Sequence, residues 1–217
     1  MKIKSIIKDN VIKVNAIINH MPFLNFFKLD GNTLDIKSGL LWHCKIRCSG
    51  KNNVIICRGV LHNCVIDIHG DNNRIEIGEH TTVCYGEIYM EDNDNAIYIG
   101  KHTCLAGKNH LACTEGRKII IGDHCLFSSE IVLRTGDSHS ILDCEGNRTN
   151  QAKDIVIDNH VWIGYRVLIN KGVHICEDSI VGTGSVVTKT IEEKNVLMAG
   201  NPAKIVKHNV SWCKERI

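Results

Sequence analysis

A chain of 217 residues with 24 acidic and 26 basic side chains has the size and balance of one soluble domain with a small appendage. A formal net charge of +2 excludes a polyanion binder that works by bulk electrostatics, so no nucleic-acid partner is expected. Four Phe, four Tyr and three Trp leave the core to aliphatic side chains, and two Pro with eighteen Gly exclude collagen-like and proline-rich classes.

At the N-terminus, Lys2, Lys4, Lys8, Asp9 and Lys13 interrupt any apolar run, so neither a secretory signal nor an integral membrane segment is expected. The eleven cysteines are odd in number and contain no Cys-x-x-Cys pair. They are read as reduced thiols of a cytoplasmic protein, mostly small buried residues. Cys44, Cys48 and Cys64 with His43 and His62 are too loosely spaced for a zinc site. Residues 1–33, with Phe23, Leu24, Phe26 and Phe27 in their second half, are predicted to cap the N-terminal end of the domain.

From about residue 34 the chain repeats. Ile77-Gly-Glu-His80, Ile99-Gly-Lys-His102, Ile121-Gly-Asp-His124 and Ile157-Asp-Asn-His160 are one tetrapeptide four times, each after a short β-rich run, at spacings of 22, 22 and 36. Further on, Ile157, Ile163, Ile169, Ile175, Val181 and Val187 recur every six residues. A period of six fits neither a helix nor a two-sided strand. It fits an all-β parallel solenoid in which each short strand points one aliphatic residue inward and then turns a corner. Three hexads close the smallest polygon, which makes 36 residues two turns, and 22 residues one turn with a corner extrusion such as Glu91–Asp94. Six or seven turns at ~4.8 Å each give a prism roughly 30 Å tall over 34–202. The corner histidines have a geometric explanation in this lattice, and no metal is expected.

After Leu133 the lattice would place His139, Glu145 and Gln151 inside, which an aliphatic core does not accept without partners. The chain therefore leaves the lattice over 134–153. A loop of that length in a regular solenoid carries function when it is ordered. It holds Asp137, Ser138, His139 and Asp143 within seven positions, with Cys144 behind them. The repeat then resumes at Val161-Trp-Ile-Gly164 and ends near Ala199-Gly-Asn-Pro-Ala-Lys204. Residues 203–217, with Trp212, are predicted to form a C-terminal helix that caps the other end.

The hexads, the Asp137–Asp143 loop, Val161–Gly164 and Ala199–Lys204 together resemble the left-handed parallel β-helix (hexapeptide-repeat) acetyltransferases, over about residues 54 to 206. Within that family they look most like the branch that acetylates capsular, polysialic or lipopolysaccharide glycans. Left-handedness rests on this resemblance alone, since β-crossovers are otherwise right-handed. The resemblance implies a homotrimer with active sites between protomers, a carbohydrate acceptor, and direct transfer from acetyl-CoA with a loop histidine as base. Residue by residue, His139 is the expected general base, because a side chain with an ordinary pKa near ~6.5 is suited to take a hydroxyl proton during attack. Asp137 or Asp143 would orient its ring. Trp162 would position donor or acceptor, its indole N–H being one source of the donors an oxyanion needs. Gly164, Gly182, Thr183, Gly184 and Ser185 would form the wall for the pantetheine arm, with Lys189, Lys204 and Lys207 at the phosphates and Pro202 bordering the adenine. A small acceptor, such as a nucleotide-sugar amine, serine, a simple sugar or an antibiotic, is an alternative. So does a catalytically empty scaffold.

Overall fold

The computed structural model describes residues 2–36 and 38–217, and their side chains from residue 11 on, so those of Lys2, Lys4 and Lys8 lie outside the described residues. Among the described residues a single helix, α1 (Lys2–Asn19), precedes a three-sided prism of short strands. Successive strands take the three faces in turn. Sheet I has eight strands, from Phe26–Lys28 to Val186–Val187, and sheet II has seven, from Thr33–Asp35 to His174–Ile175. Sheet III has nine, starting at Leu40–Trp42. Every pairing is parallel except the last, Leu197–Gly200 with Ala203–Lys207. The first coil therefore begins at Phe26, eight residues before the expected boundary.

The repeat works as its period requires. Ile157, Ile163, Ile169, Ile175, Val181 and Val187 are all at most 1% exposed, and Ile77, Ile99 and Ile121 stack beneath one another at the same point of sheet II. The 36-residue spacing, however, is one turn and not two. Ile121 pairs directly with Ile157, so the surplus is a single excursion inserted into that coil. Polar groups that the coils would otherwise bury unpaired are satisfied by side-chain ladders at the corners. Between sheets I and II, Asn32, Asn53 and Asn73 each use Oδ1 to accept the backbone N–H of the next asparagine, at 2.8, 2.8 and 3.0 Å. Between sheets II and III, Thr81 and Thr103 accept from Thr103 N and Cys125 N at 3.1 and 3.0 Å. Replacing Asn73 by Ala strands the buried Asn95 N–H. A loss of about 2–3 kcal/mol in urea unfolding is expected from that one orphaned group and its lost partners.

Both ends are closed. Asn19, 1% exposed at the end of α1, donates to Gly39 O and accepts from Leu41 N, at 3.0 and 2.7 Å. Asn25 does the same for Leu41 O and Cys44 N, at 3.0 and 2.9 Å. At the other end the predicted helix over 203–217 does not form. Ala203–Lys207 pairs antiparallel with Leu197–Gly200 instead, because a sheet edge with free N–H and C=O groups accepts an extended, β-branched segment more readily than a helix covers it. The remaining tail lies along the prism, where Trp212 stacks on His160 with ring centroids 4.4 Å apart and its indole N–H donates to His160 O at 2.8 Å. His80, His102 and His124 form a second stack on the same corner, 4.9 Å from ring to ring. The geometric explanation of these histidines therefore holds.

The cysteines are free thiols. Burial pushes Cys57 and Cys113 up to about 12 and Cys48 and Cys125 up to about 11. Those four stay neutral and pack as small apolar residues.

Candidate active site

The excursion leaves sheet I after Val132–Arg134 and re-enters sheet II at Ile155–Ile157. Its base is closed by backbone: Thr135 N donates to Ala112 O and Lys153 N to Thr135 O, at 3.1 and 2.9 Å. Its interior is organised by Asn150, which is 8% exposed. The Asn150 amide donates to Asp137 Oδ2 and to His139 O, both at 2.8 Å, and its Oδ1 accepts from Ile141 N at 2.8 Å. Arg148 clamps the loop to the preceding coil through a two-pronged pair with Glu115, at 2.9 and 2.6 Å, which holds the Glu115 carboxyl below the usual carboxylate range. These bonds fix the backbone at His139 from both sides, so the segment is an ordered loop and not a floppy insertion.

His139 itself is exposed, and among the described residues its imidazole accepts or donates no hydrogen bond. It borders a cleft of about 490 Å³ lined by Arg134, Gly136, Asp137, Ser138, Leu168, Asn170 and Lys171. Two cationic side chains, Arg134 and Lys171, therefore face the same space as the imidazole. Arg134 also donates to Ser138 Oγ at 3.0 Å.

Neither expected partner orients the ring. Asp137 accepts from the Lys171 ammonium and from Asn150, and the Lys171 bond is the main cause holding its carboxyl below the ordinary range. Asp143 is occupied in a turn of its own, where Oδ1 accepts Glu145 N and Asn147 N at 2.9 Å each. Asp137 thus anchors the loop to the coil carrying Lys171, and Asp143 shapes the loop tip. A depressed folded-state pKa means that the Asp137 anchor is complete above the unfolded carboxyl value of ~3.9 and is lost as pH falls through the lower folded value. Hydrogen exchange of the 135–154 amides, corrected for intrinsic rates, is accordingly expected to be flat from pH 5 to 8. Asp137→Asn should raise exchange across that whole range.

Trp162 lies elsewhere in the chain. It opens the strand Trp162–Ile163 on sheet III, 39% exposed, with Trp212 at 6.1 Å and 47°. Trp162 is not among the residues that line the cleft beside His139. The residues expected to form a wall for the pantetheine arm lie close together only in part, and several have structural duties of their own. Gly164 and Gly182 do stack at the end of sheet III, but a Cβ on Gly164 would lie 2.7 Å from Thr183 N, so coil-to-coil contact already demands glycine there. Gly184, at φ 70°, adopts the same corner conformation as Glu130 and Arg166. Ser185 is fully buried and bonds Gly182 O and Gly200 N, so its hydroxyl belongs to the corner and is not open to a ligand. Thr183, Pro202 and Lys204 are exposed near that corner, and Lys207 is exposed at the far end of the terminal hairpin. Lys189 sits past Val186–Val187, on the way from sheet I to sheet II, away from the glycines. Asn150, Arg148 and Lys171 do not stand out in the sequence. Arg148 and Asn150 have one signal, a position just before the lattice resumes at Ile155–Ile157, and Lys171, a corner residue two hexads further on, has none.

No family model matches the chain. It is 34% identical over 119 residues to the polysialic acid O-acetyltransferase of Escherichia coli O1:K1 / APEC, a match over 54% of this chain and 38% of that protein. It is 32% identical over 168 residues to the polysialic acid O-acetyltransferase of Neisseria meningitidis, over 68% of this chain and 78% of that one. The matched region is thus only about two-fifths of the E. coli relative's length. Among solved structures, a polysialic-acid-specific acetyltransferase superposes with a TM-score of 0.79 at 29% identity, covering 90% of this chain and 84% of the other. A second polysialic acid O-acetyltransferase superposes with a TM-score of 0.67 at 30% identity, covering 89% and 92%. With a relative above 30% identity matched over most of its length, and the triangular solenoid shared throughout, the chain belongs to the hexapeptide-repeat acetyltransferases and is a left-handed parallel β-helix.

Proposed function

We propose that the protein is an acetyl-CoA-dependent O-acetyltransferase acting on a sugar hydroxyl of a bacterial surface polysaccharide. The observation that carries this reading is the presentation of His139: an imidazole without a hydrogen-bonding partner among the described residues, on a loop clamped by Asn150 and Arg148, in a relative of two polysialic acid O-acetyltransferases. His139 takes the hydroxyl proton as the sugar oxygen attacks the thioester carbonyl carbon. The tetrahedral intermediate collapses with cleavage of the carbon–sulfur bond, and the imidazolium returns its proton to the departing thiolate. An acetyl ester and free CoA result, with no acyl-enzyme.

Because His139 and Trp162 occupy different regions of one chain, a site that uses both needs two protomers, which supports the reading of a homotrimer with active sites at its seams. The exposed end of sheet III, with Gly164, Gly182, Thr183, Pro202 and Lys204, is the surface on which CoA is expected to lie. Among the described residues no helix is long and apolar enough to cross a membrane, and the protein is proposed to act in the cytoplasm.

Two measurements test the proposal. Calorimetric titration with CoA is expected to show one site per chain. Absence of binding at millimolar CoA would favour a scaffold instead. Free-thiol release with acetyl-CoA and a panel of acceptors separates the substrate classes: turnover with polysialic acid or a capsular glycan supports the reading, and turnover confined to simple sugars, nucleotide-sugar amines, serine or an antibiotic replaces it with the small-acceptor alternative.

A further inference from the structure

Sheet II carries, near its C-terminal end, a cluster of side chains that acetyl transfer does not use. The strands Ile155–Ile157 and His174–Ile175 pair with Val156 opposite His174 and Ile157 opposite Ile175. Ile157 and Ile175 point into the core, so the next residues, Asp158 and Cys176, emerge one above the other on adjacent coils, with His174 beside them. Ile175 in turn bridges Ile191 on the following coil, which brings Glu192 to the opposite flank of Cys176.

The donor atoms of Asp158, His174 and Cys176 all lie within 4.8 Å of one another, and all three residues are half-buried. His174 Nε2 is 2.9 Å from Asp158 Oδ1, and the Cys176 thiol faces Ile191 O at 3.5 Å. This is the one such convergence of three ligand-type side chains among the described residues.

We propose that Asp158, His174 and Cys176, with Glu192 as fourth donor, form a binding site for a Zn²⁺-type divalent cation. A carboxylate, an imidazole and a thiolate are the mixed set that suits this borderline-soft ion, whereas Mg²⁺ and Ca²⁺ call for oxygen ligands throughout. The cation displaces the thiol proton to solvent and takes the place of the proton that His174 Nε2 now donates to Asp158; the neutral ring then carries its one proton on Nδ1. Its role is to clip three successive coils. Asp158 belongs to one, His174 and Cys176 to the next, and Glu192 to the last, where sheet II narrows from a strand of three residues to one of two and then to a single bridge. The site lies on a different face from Trp162 and the glycine corner, so it stands apart from the reaction.

Co²⁺ added to chelator-stripped full-length protein tests the site. A thiolate-to-cobalt charge-transfer band is expected, saturating at one equivalent per chain and abolished by Zn²⁺. Cys176→Ser should remove the band although ten cysteines remain. Asp158→Asn and Glu192→Gln should weaken Co²⁺ binding at least about tenfold. Zn²⁺ should raise the unfolding temperature of the native protein and not of Cys176→Ser, while both bind CoA alike. Absence of the band at a large excess of Co²⁺, or its persistence in Cys176→Ser with a native circular dichroism spectrum, overturns the site. Should Cys176→Ser fail to fold, unchanged Co²⁺ affinity in Asp158→Asn overturns it equally.

Discussion

His139→Ala is expected to lower turnover with acetyl-CoA and a polysaccharide acceptor by about 10²–10⁴-fold while leaving CoA affinity unchanged, as read by thiol release and calorimetry respectively. The separation of the two readouts is a consequence of the fold. His139 stands on the excursion from the corner of sheets I and II, whereas the proposed CoA surface runs along the end of sheet III. Removing the imidazole leaves Asn150 bonded to the main-chain carbonyl at position 139, so the loop keeps its shape and the loss is chemical. His139→Gln is the sharper variant, since it keeps polarity and much of the volume but has no site to hold a transferred proton. Full activity in either variant would remove His139 from the mechanism. A fall in CoA affinity of the same size as the fall in turnover would make it a binding residue instead. Asn150→Ala is the informative contrast. It releases Asp137, His139 O and Ile141 N together, and should reduce turnover while raising hydrogen exchange throughout 135–154.

The loop is legible in the sequence because the lattice around it is strict. Once Ile121, Phe127 and Leu133 are placed inside, the next three lattice positions fall on His139, Glu145 and Gln151, and no aliphatic prism admits that set unpaired. The same regularity makes the count of turns ambiguous, since a spacing of 36 fits two hexad turns as well as one turn with an eighteen-residue insertion. Only the pairing of Ile121 with Ile157 distinguishes them. The first coil is hidden because Phe26–Lys28 and Thr33–Asp35 lack the small-residue corner signature and are held by pairing with strands a full coil further on, Lys45–Ser49 and Val54–Cys57. The C-terminal segment reads as a helix, but its first part, Ala203–Lys207, is a strand because its conformation is set by an open sheet edge, a tertiary demand that overrides local preference. The partners of Asp137 and Asp143 are illegible for a related reason. A carboxylate within four residues of a histidine looks like its orienter, yet Lys171, a whole coil away in space, claims Asp137 first.

Phe127→Ala carries the largest expected cost in stability, about 3–5 kcal/mol by denaturant unfolding. Phe127 is fully buried and the largest such side chain in the prism, stacked in sheet III between Leu105 and Ile163. A globular core shrinks partly around a lost ring, but here the neighbouring coils are held at fixed separation by parallel ladders above and below. The cavity is therefore expected to stay open, which puts the cost at the upper end of the range. The effect also reaches the site. Phe127 lies on the coil from which the chain departs six residues later, after Leu133, into the excursion bearing His139. Phe127→Leu fills most of the space and should retain both stability and turnover. Phe127→Ala, tested well below its lowered midpoint, should bind CoA normally yet turn over more slowly as the base of the loop loosens. Equal turnover in the two variants would show that the clamps of Asn150 and Arg148 hold His139 in place without help from the core beneath them.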